Sequence, residues 1–544
     1  MTTPPVDLLA AHAAAHPYKL AVIEDRQATG SAGSAQRAAG ERSRQTGHPV
    51  VSWSFDELNR QANRLGNALL GLGVRPGETV LWCGMNSTGV VRMMHAARKA
   101  GVTSVPLNYR LTPEEAAYIV DDSDAVAVYA DAEFAAHFAQ VRPHTPKVKH
   151  WLVYGGQPDE QRSPADMIDV DALVANASDA TPQIDWGDAS DLTMIYTSGT
   201  TGRPKGAVRS AVGDPDLLRQ MIAFIGYVQD DVYLTTGPLY HSGPGGFMSI
   251  AHSLGNTVVL QRKFDAEDWL RLVQTHRVTT TFSAPTPIRL VCQLPDALKA
   301  RYDRSSMQRM IANAAPWSFA LKEMYMRDFG DESMWEVYGS TELGVDTILR
   351  PEDQRRKPGS CGRAAPGVEV ALFDDEGNRI EKPHAPGELF VRSRSAFRTY
   401  HNAQEKFEKG RRGDWLSVGD VAYFDDEAFF YICDRKNDMI ISGGMNIYPA
   451  EIEAALDQHP DVLDVAVIGI PSEEWGEAVH AVVVRRVAAL TPEAMIAFAR
   501  EHLAGYKLPR SISFADEIPR NASGKILKKV LREPFWAGQQ RRVG

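Results

Sequence analysis

The chain has 544 residues, 44% of them hydrophobic and 24% charged, with a formal net charge of −10. That length exceeds what one core supports and implies roughly three or four units, and the acidic balance excludes a global basic field for nucleic acid. Cys83, Cys292, Cys361 and Cys433 form no C-x-x-C pair and have no His at ligand spacing, which argues against a structural zinc and for a reduced, cytoplasmic compartment.

The N-terminus lacks a basic segment, and the apolar run Leu8–Ala15 carries His12, so no secretory signal is expected. No run approaches the ~20 apolar residues that span a bilayer, although peripheral membrane contact stays open. Leu20–Glu24 reads as a strand. Residues 26–49 are rich in Gly, Ser, Ala, Gln and Arg and read as a mobile surface insertion. Ser54-Phe-Asp-Glu57 is a capping box, followed by Leu58, Ala62, Leu65 and Leu69 on one helical face. Gly71 and Gly73 stop that helix. Thr79–Cys83 predicts a buried strand, then come a helix, Gly101 and a short strand through Val105. Thr112-Pro-Glu-Glu115 is a second capping box with Pro113 in the first turn. Ala125–Tyr129 predicts a further strand. Strands alternating with helices place the chain in the α/β class with parallel sheets.

The densest polar signal follows the short strand Leu192–Ile195. In Tyr196-Thr-Ser-Gly-Thr-Thr-Gly-Arg-Pro-Lys-Gly206, glycines, hydroxyls, an Arg and a Lys crowd together. Glycine permits close backbone approach, and N–H groups, hydroxyls and a cation together suit a polyphosphate. The spacing is not that of a Walker loop, and Pro204 opposes an immediate helix. The plain alternative is a Gly/Thr surface turn.

After about residue 343 short β-like runs, Val368–Phe373 and Glu388–Arg392, alternate with turns and predict a β-rich subdomain over about 343–433. Tyr338-Gly-Ser-Thr-Glu342 offers Glu342 as a hard oxygen ligand for magnesium. The Gly-Asp step at Asp420 could accept bonds from ribose hydroxyls. Asp434-Arg-Lys-Asn-Asp438 is a charged boundary. Beyond it, Pro449, Glu451 and Glu453 fit a helix start, which leaves the grouping of Arg435, Lys436, Gly443 and Gly444 unaccounted for. The tail predicts strands at Val465–Ile470 and Ala481–Val484 and a helix from Thr491-Pro492. Asn521-Ala-Ser-Gly-Lys525 sends a long cation out of a glycine turn.

Taken in order, these segments resemble the adenylate-forming superfamily, in its acyl-CoA synthetase branch, over nearly the whole chain. The resemblance implies a large N-terminal domain, 1–433, of two α/β subdomains plus the β-rich one. A hinge at 434–438 and a small mobile α+β C-terminal domain, 439–544, follow. It implies ATP, Mg2+ and coenzyme A, and a carboxylic acid as substrate. Thr197, Ser198, Gly199, Thr200, Thr201, Gly202 and Lys205 would cradle phosphates. Thr197 and Glu342 would hold the metal, with Thr341 beside them. Ala314, Ala315 and Pro316 would form the adenine turn, joined by Tyr338, Gly339 and Ser340. Asp420 and Arg435 would hold the ribose, and His241 would border the acyl pocket. Lys525 would bridge the carboxylate and the α-phosphate. Ser442, Gly443 and Gly444 would help form the thiol tunnel after a rotation about Asn437, where the family usually has Asp or Lys.

The implied reaction makes an acyl-adenylate and pyrophosphate, then a CoA thioester and AMP. By resemblance the pocket draws on Gly243, Gly245, Gly246, Ser283, Ala284, Ala312, Gly339 and Gly344, whose small side chains favour a bulky or long apolar acid. An acyl-AMP ligase loading a carrier protein, an amino-acid adenylation domain, a luciferase-type oxygenase and a non-catalytic nucleotide or acyl-CoA binder are the rivals. Monomer and homodimer both stay open.

Overall fold

A computed structural model describes residues 6–26, 50–155, 167–186, 192–197, 203–210, 214–436, 438–520 and 526–537. The insertion residues 27–49, Ser198, Gly199, Thr200, Thr201, Gly202, Asn437 and Lys525 lie outside them. Among the described residues the strands form four sheets.

The nine-stranded sheet has a parallel centre made of Leu20–Glu24, Thr257–Leu260, Val232–Thr235, Thr280–Ser283, Arg309–Ala312 and Met334–Ser340. The eight-stranded sheet has Thr79–Cys83 at its centre, parallel to Thr103–Leu107 and Ala125–Asp131. Both centres are buried, as parallel strands covered by helices must be. Ser54 caps the helix Phe55–Gly71 by accepting from the Glu57 N–H at 3.2 Å. Leu58, Ala62, Leu65 and Leu69 then enter the main core with Phe55 and Trp82. The Thr112 box is complete in both directions. Among the described residues no helix is long and apolar enough to cross a membrane.

The third sheet is antiparallel and runs from Glu369–Phe373 to Phe430–Arg435. Its start corrects the expected β-rich boundary near 343. Gly344–Leu349 and Arg363–Ala364 instead extend the nine-stranded sheet, because Gly344, at φ +93°, turns the chain back on Met334–Ser340. The expected strands at Val105 and Tyr129 run two residues further, to Leu107 and Asp131.

The fourth sheet has its own core around Ile440, Ile447, Ile452, Val467 and Val483. Its spine is the hairpin Val462–Ser472 against Gly476–Arg485. All four cysteines are free; burial pushes Cys292 and Cys361 up to about 12, so these thiols stay protonated.

Candidate active site

The polyphosphate-like segment closes an antiparallel hairpin. Leu192–Thr197 pairs with Lys205–Ser210, and Thr197 faces Lys205 in register. Both ends of the connection are anchored on the helix Pro113–Asp122. The Tyr196 hydroxyl donates to Asp122 Oδ2 at 2.6 Å, and the Tyr118 hydroxyl donates to the Pro204 carbonyl at 3.1 Å. Burial, then the Asp122 bond, hold the Tyr196 phenol well above its ordinary value, so it remains a donor. The loop therefore springs from a fixed base.

A second hairpin faces it. At Gly339 an added Cβ would lie 1.9 Å from the Gly344 carbonyl oxygen, so no larger residue fits. The turn it permits presents Thr341 and Glu342. Glu342 is 8% exposed, and one of its oxygens, Oε1, accepts from Thr197 Oγ1 at 2.9 Å and from the Tyr400 hydroxyl at 3.0 Å. Arg209 Nη1 donates to the Thr341 carbonyl at 2.8 Å, and the Thr341 and Ser242 hydroxyls meet at 2.8 Å. Ser340 Oγ accepts from the Leu343 N–H at 3.0 Å. Thus the adjacent Thr341 and Glu342 join Ser242 and Thr197, which lie 99 and 145 positions away in sequence, into one polar line.

A third group adjoins it. The Tyr338 hydroxyl donates to Asp420 Oδ2 at 2.5 Å, and Arg435 Nε lies 3.3 Å from Asp420 Oδ1. Asp420 and Arg435 are register partners across two strands. Burial, then Asp420, raise Tyr338 well above its usual value. Burial works to lower Arg435, but Asp420, Tyr338 and Glu342 outweigh it and leave the guanidinium more firmly charged.

Ala314 adopts φ +71° without being glycine. Asn313 Nδ2 holds the turn by donating to the Val337 carbonyl at 2.5 Å, and Trp317 Nε1 donates to the Asn313 carbonyl at 3.2 Å. Strain of this kind persists only where surroundings enforce it. Ala315 is half-buried and Pro316 exposed, just beyond the turn.

A cavity of about 1060 Å³ opens beside these groups and is lined by His241, Thr341, Ser340, Gly339 and Ala314 among others. His241 stands at the N-cap position of the helix Ser242–Ser253 without a side-chain capping bond, with its ring centroid 4.4 Å from that of Tyr240. The glycines of this wall divide by role. An added Cβ at Gly243 would strike Phe282 at 2.3 Å and one at Gly245 the Leu239 carbonyl at 2.6 Å, whereas Gly246 has nothing within 4 Å. Gly246 alone of the three leaves space for a ligand. Ser283 and Ala312, expected in the pocket, are fully buried in central strands instead, because the parallel sheet core claims them.

Asp346 was not legible in the sequence. It is fully buried, and both carboxylate oxygens lack a hydrogen-bond partner among the described residues. Burial, then the charge of Asp420, push it well above the carboxylate range, with Arg209 opposing.

Ser442, Gly443 and Gly444 stand apart from the cavity wall. Ser442 pairs with Met445, which makes Gly443-Gly444 a two-residue hairpin turn. Their φ angles, +57° and +80°, are those such a turn demands. An added Cβ at Gly443 would lie 2.7 Å from the Trp475 ring.

The family comparison agrees with this architecture. The AMP-binding enzyme model matches residues 14–401, and the AMP-binding enzyme C-terminal domain model matches 451–525. The chain belongs to the AMP-binding enzyme family. It is 33% identical to the long-chain-fatty-acid–CoA ligase FadD13 of Mycobacterium tuberculosis, over 90% of this chain and 94% of that protein. It is 34% identical to the indoleacetate–CoA ligase of Aromatoleum aromaticum, over 89% and 94%. The o-succinylbenzoate CoA synthetase MenE of Bacillus subtilis, solved with its acyl-adenylate intermediate, aligns over 100% of both chains with a TM-score of 0.80 and 27% identity.

Proposed function

We propose that the protein is an ATP-dependent acid–thiol ligase that joins a bulky or long apolar carboxylic acid to coenzyme A. The observation that carries this reading is the Thr197–Glu342 and Thr341–Ser242 line, which runs from the base of the glycine-rich hairpin to the lip of the cavity. A nucleotide held by the hairpin then meets an acid held by the cavity.

In the first half-reaction a carboxylate oxygen attacks the α-phosphate of ATP, forming acyl-AMP and releasing pyrophosphate. In the second, the CoA thiolate attacks the acyl carbon and AMP leaves. Neither step requires a general base, since both nucleophiles react as anions. Catalysis of this type is positioning plus electrostatic stabilisation.

Asp420, with Arg435 aligning it, offers a carboxylate to ribose hydroxyls. Ala314, Ala315 and Pro316 offer a rigid turn to the adenine. Lys205 and the hydroxyls of Thr197, Ser198, Thr200 and Thr201 suit the β- and γ-phosphates. Glu342 and Thr197 fit Mg2+, which favours one or two protein oxygens alongside substrate phosphates; when bound it neutralises phosphate charge. Lys525 is assigned to the reacting oxygens.

The ion pairs around the hinge support a pivot at Asn437. Lys436 pairs with Asp375 at 2.8 Å and Glu388 at 3.2 Å, on the antiparallel sheet. Asp438 pairs with Arg532 at 2.9 Å, on the C-terminal unit. The residues either side of 437 thus hold opposite bodies. Asp434 bridges them, accepting from the Ala450 N–H at 3.0 Å and lying 3.5 Å from Lys528; a rotation must break that bridge. A cytoplasmic location completes the reading.

The test is a carboxylate panel screened for pyrophosphate release with and without CoA. The expected result is acid-dependent pyrophosphate release and a CoA thioester. Adenylate formation with transfer only to a carrier protein would favour the acyl-AMP ligase reading.

A further inference from the structure

The cavity continues along the helix Ser242–Ser253. Ser242, Gly246, Ser249 and Ser253 recur at three- and four-residue spacing and line it together with most other residues of that helix. From Ser242 to His252 the helix rises about 15 Å. At its far end His252 meets His95 of the helix Thr88–Lys99, and both line the cavity.

Their hydrogen bonds define which nitrogen holds a proton. His252 Nε2 lies 3.0 Å from the Ala21 carbonyl, which only accepts, so Nε2 carries hydrogen. His252 Nδ1 lies 2.9 Å from His95 Nε2. Burial holds His252 at about 4, against an ordinary 6.5. Burial, then His252, Arg98 and Lys99, hold His95 well below its ordinary value. Both rings are therefore neutral near pH 7. A neutral His252 with hydrogen on Nε2 accepts at Nδ1, so His95 Nε2–H donates. A neutral His95 then keeps its lone pair on Nδ1, and no donor meets that atom among the described residues.

We infer that the far end of the cavity recognises a hydroxyl group on the acid, borne by a ring or chain end about 15 Å from the Thr341–Ser242 contact, through His95 Nδ1. This rests on the ligase reading and narrows its substrate class: an apolar acid with a distal hydrogen-bond donor. A ketone at that position presents a second acceptor and gains nothing.

The experiment compares three acids of matched length, unsubstituted, distally hydroxylated and distally ketonic, by kcat/KM for ATP- and CoA-dependent thioester formation. The hydroxy acid should exceed the plain acid by roughly tenfold, the effect of one added hydrogen bond, and the ketone should not. His95→Leu should collapse that ratio, and His95→Gln, whose amide oxygen accepts, should restore part of it. The wild-type comparison stands even if a variant fails to fold. A wild-type ratio near one, or a ratio untouched by His95→Leu, would overturn the inference and leave the ligase reading intact. Failure of all three acids, and of the wider carboxylate panel, would overturn both.

Discussion

Gly339 and Gly443 both belong to antiparallel hairpins, the first in a strand just before the turn and the second in the turn itself, and both stand in segments expected to meet a ligand. At the first, neighbouring side chains reach far along the chain. Glu342 accepts from Thr197, 145 positions away, and Tyr338 donates to Asp420, 82 positions away. At the second, the turn is satisfied by its own geometry and by the Trp475 carbonyl, which accepts from the Gly443 N–H at 2.8 Å. A glycine is required by the backbone either way, by the close approach of the Gly344 carbonyl at the first and by the positive φ at the second. What separates a site from a turn is the set of long-range polar partners around it.

The strongest way to break that contrast is through the C-terminal tail. Lys525→Ala should reduce ATP–pyrophosphate exchange roughly a hundredfold or more, the usual effect of removing one fixed charge at a reacting centre. Near-full exchange would remove Lys525 from the mechanism and leave the N-terminal groups as the whole apparatus.

Asn437→Pro sharpens the division between the two bodies. It should spare exchange while lowering thioester formation by roughly tenfold or more, since proline restricts the backbone angles a pivot must change. Equal loss of both half-reactions would mean the hinge does not separate them.

Gly443→Ala tests the turn itself. The positive φ and the Trp475 contact should cost about 1–3 kcal/mol of stability, read by calorimetric melting. An unchanged melting temperature together with lost thioester formation would return this turn to the ligand.

The smallest effect concerns Asp346. Its folded-state pKa is raised by burial, so its stabilising form is the protonated one. Stability is then retained below the unfolded value of about 3.9 and lost as pH rises toward the folded value. Asp346→Asn, neutral throughout, should gain more in melting temperature over wild type at pH 8 than at pH 4. An equal gain at both would show that the folded-state pKa of Asp346 is not raised above its unfolded value.

Much of this was legible in the chain. The Ser54 N-cap, the capping box at Thr112, the strands around Thr79 and Ala125, and the helix at Pro449 follow from local spacing and fixed φ preferences, which act over a few residues. Glu342 and Asp420 were legible as carboxylates in polar turns. Their partners were not. Nothing in the sequence marks Tyr400 or Arg209 as neighbours of the Thr341–Glu342 turn, because strand register across two sheets brings them there. The same holds for Ser283 and Ala312, small residues that suited a pocket until the parallel core buried them.

The alternation of strand and helix signals by itself determined the α/β class, and the order of the polar turns, read against the family they resemble, the nucleotide-handling character, since both depend on residue type and short spacing. Only the tertiary structure decided which glycines leave room, which carboxyl is sealed without a hydrogen-bond partner among the described residues, and that two distant histidines meet at the end of the cavity. Those outcomes depend on packing between segments hundreds of residues apart, where burial and alignment of donors, not composition, set the chemistry.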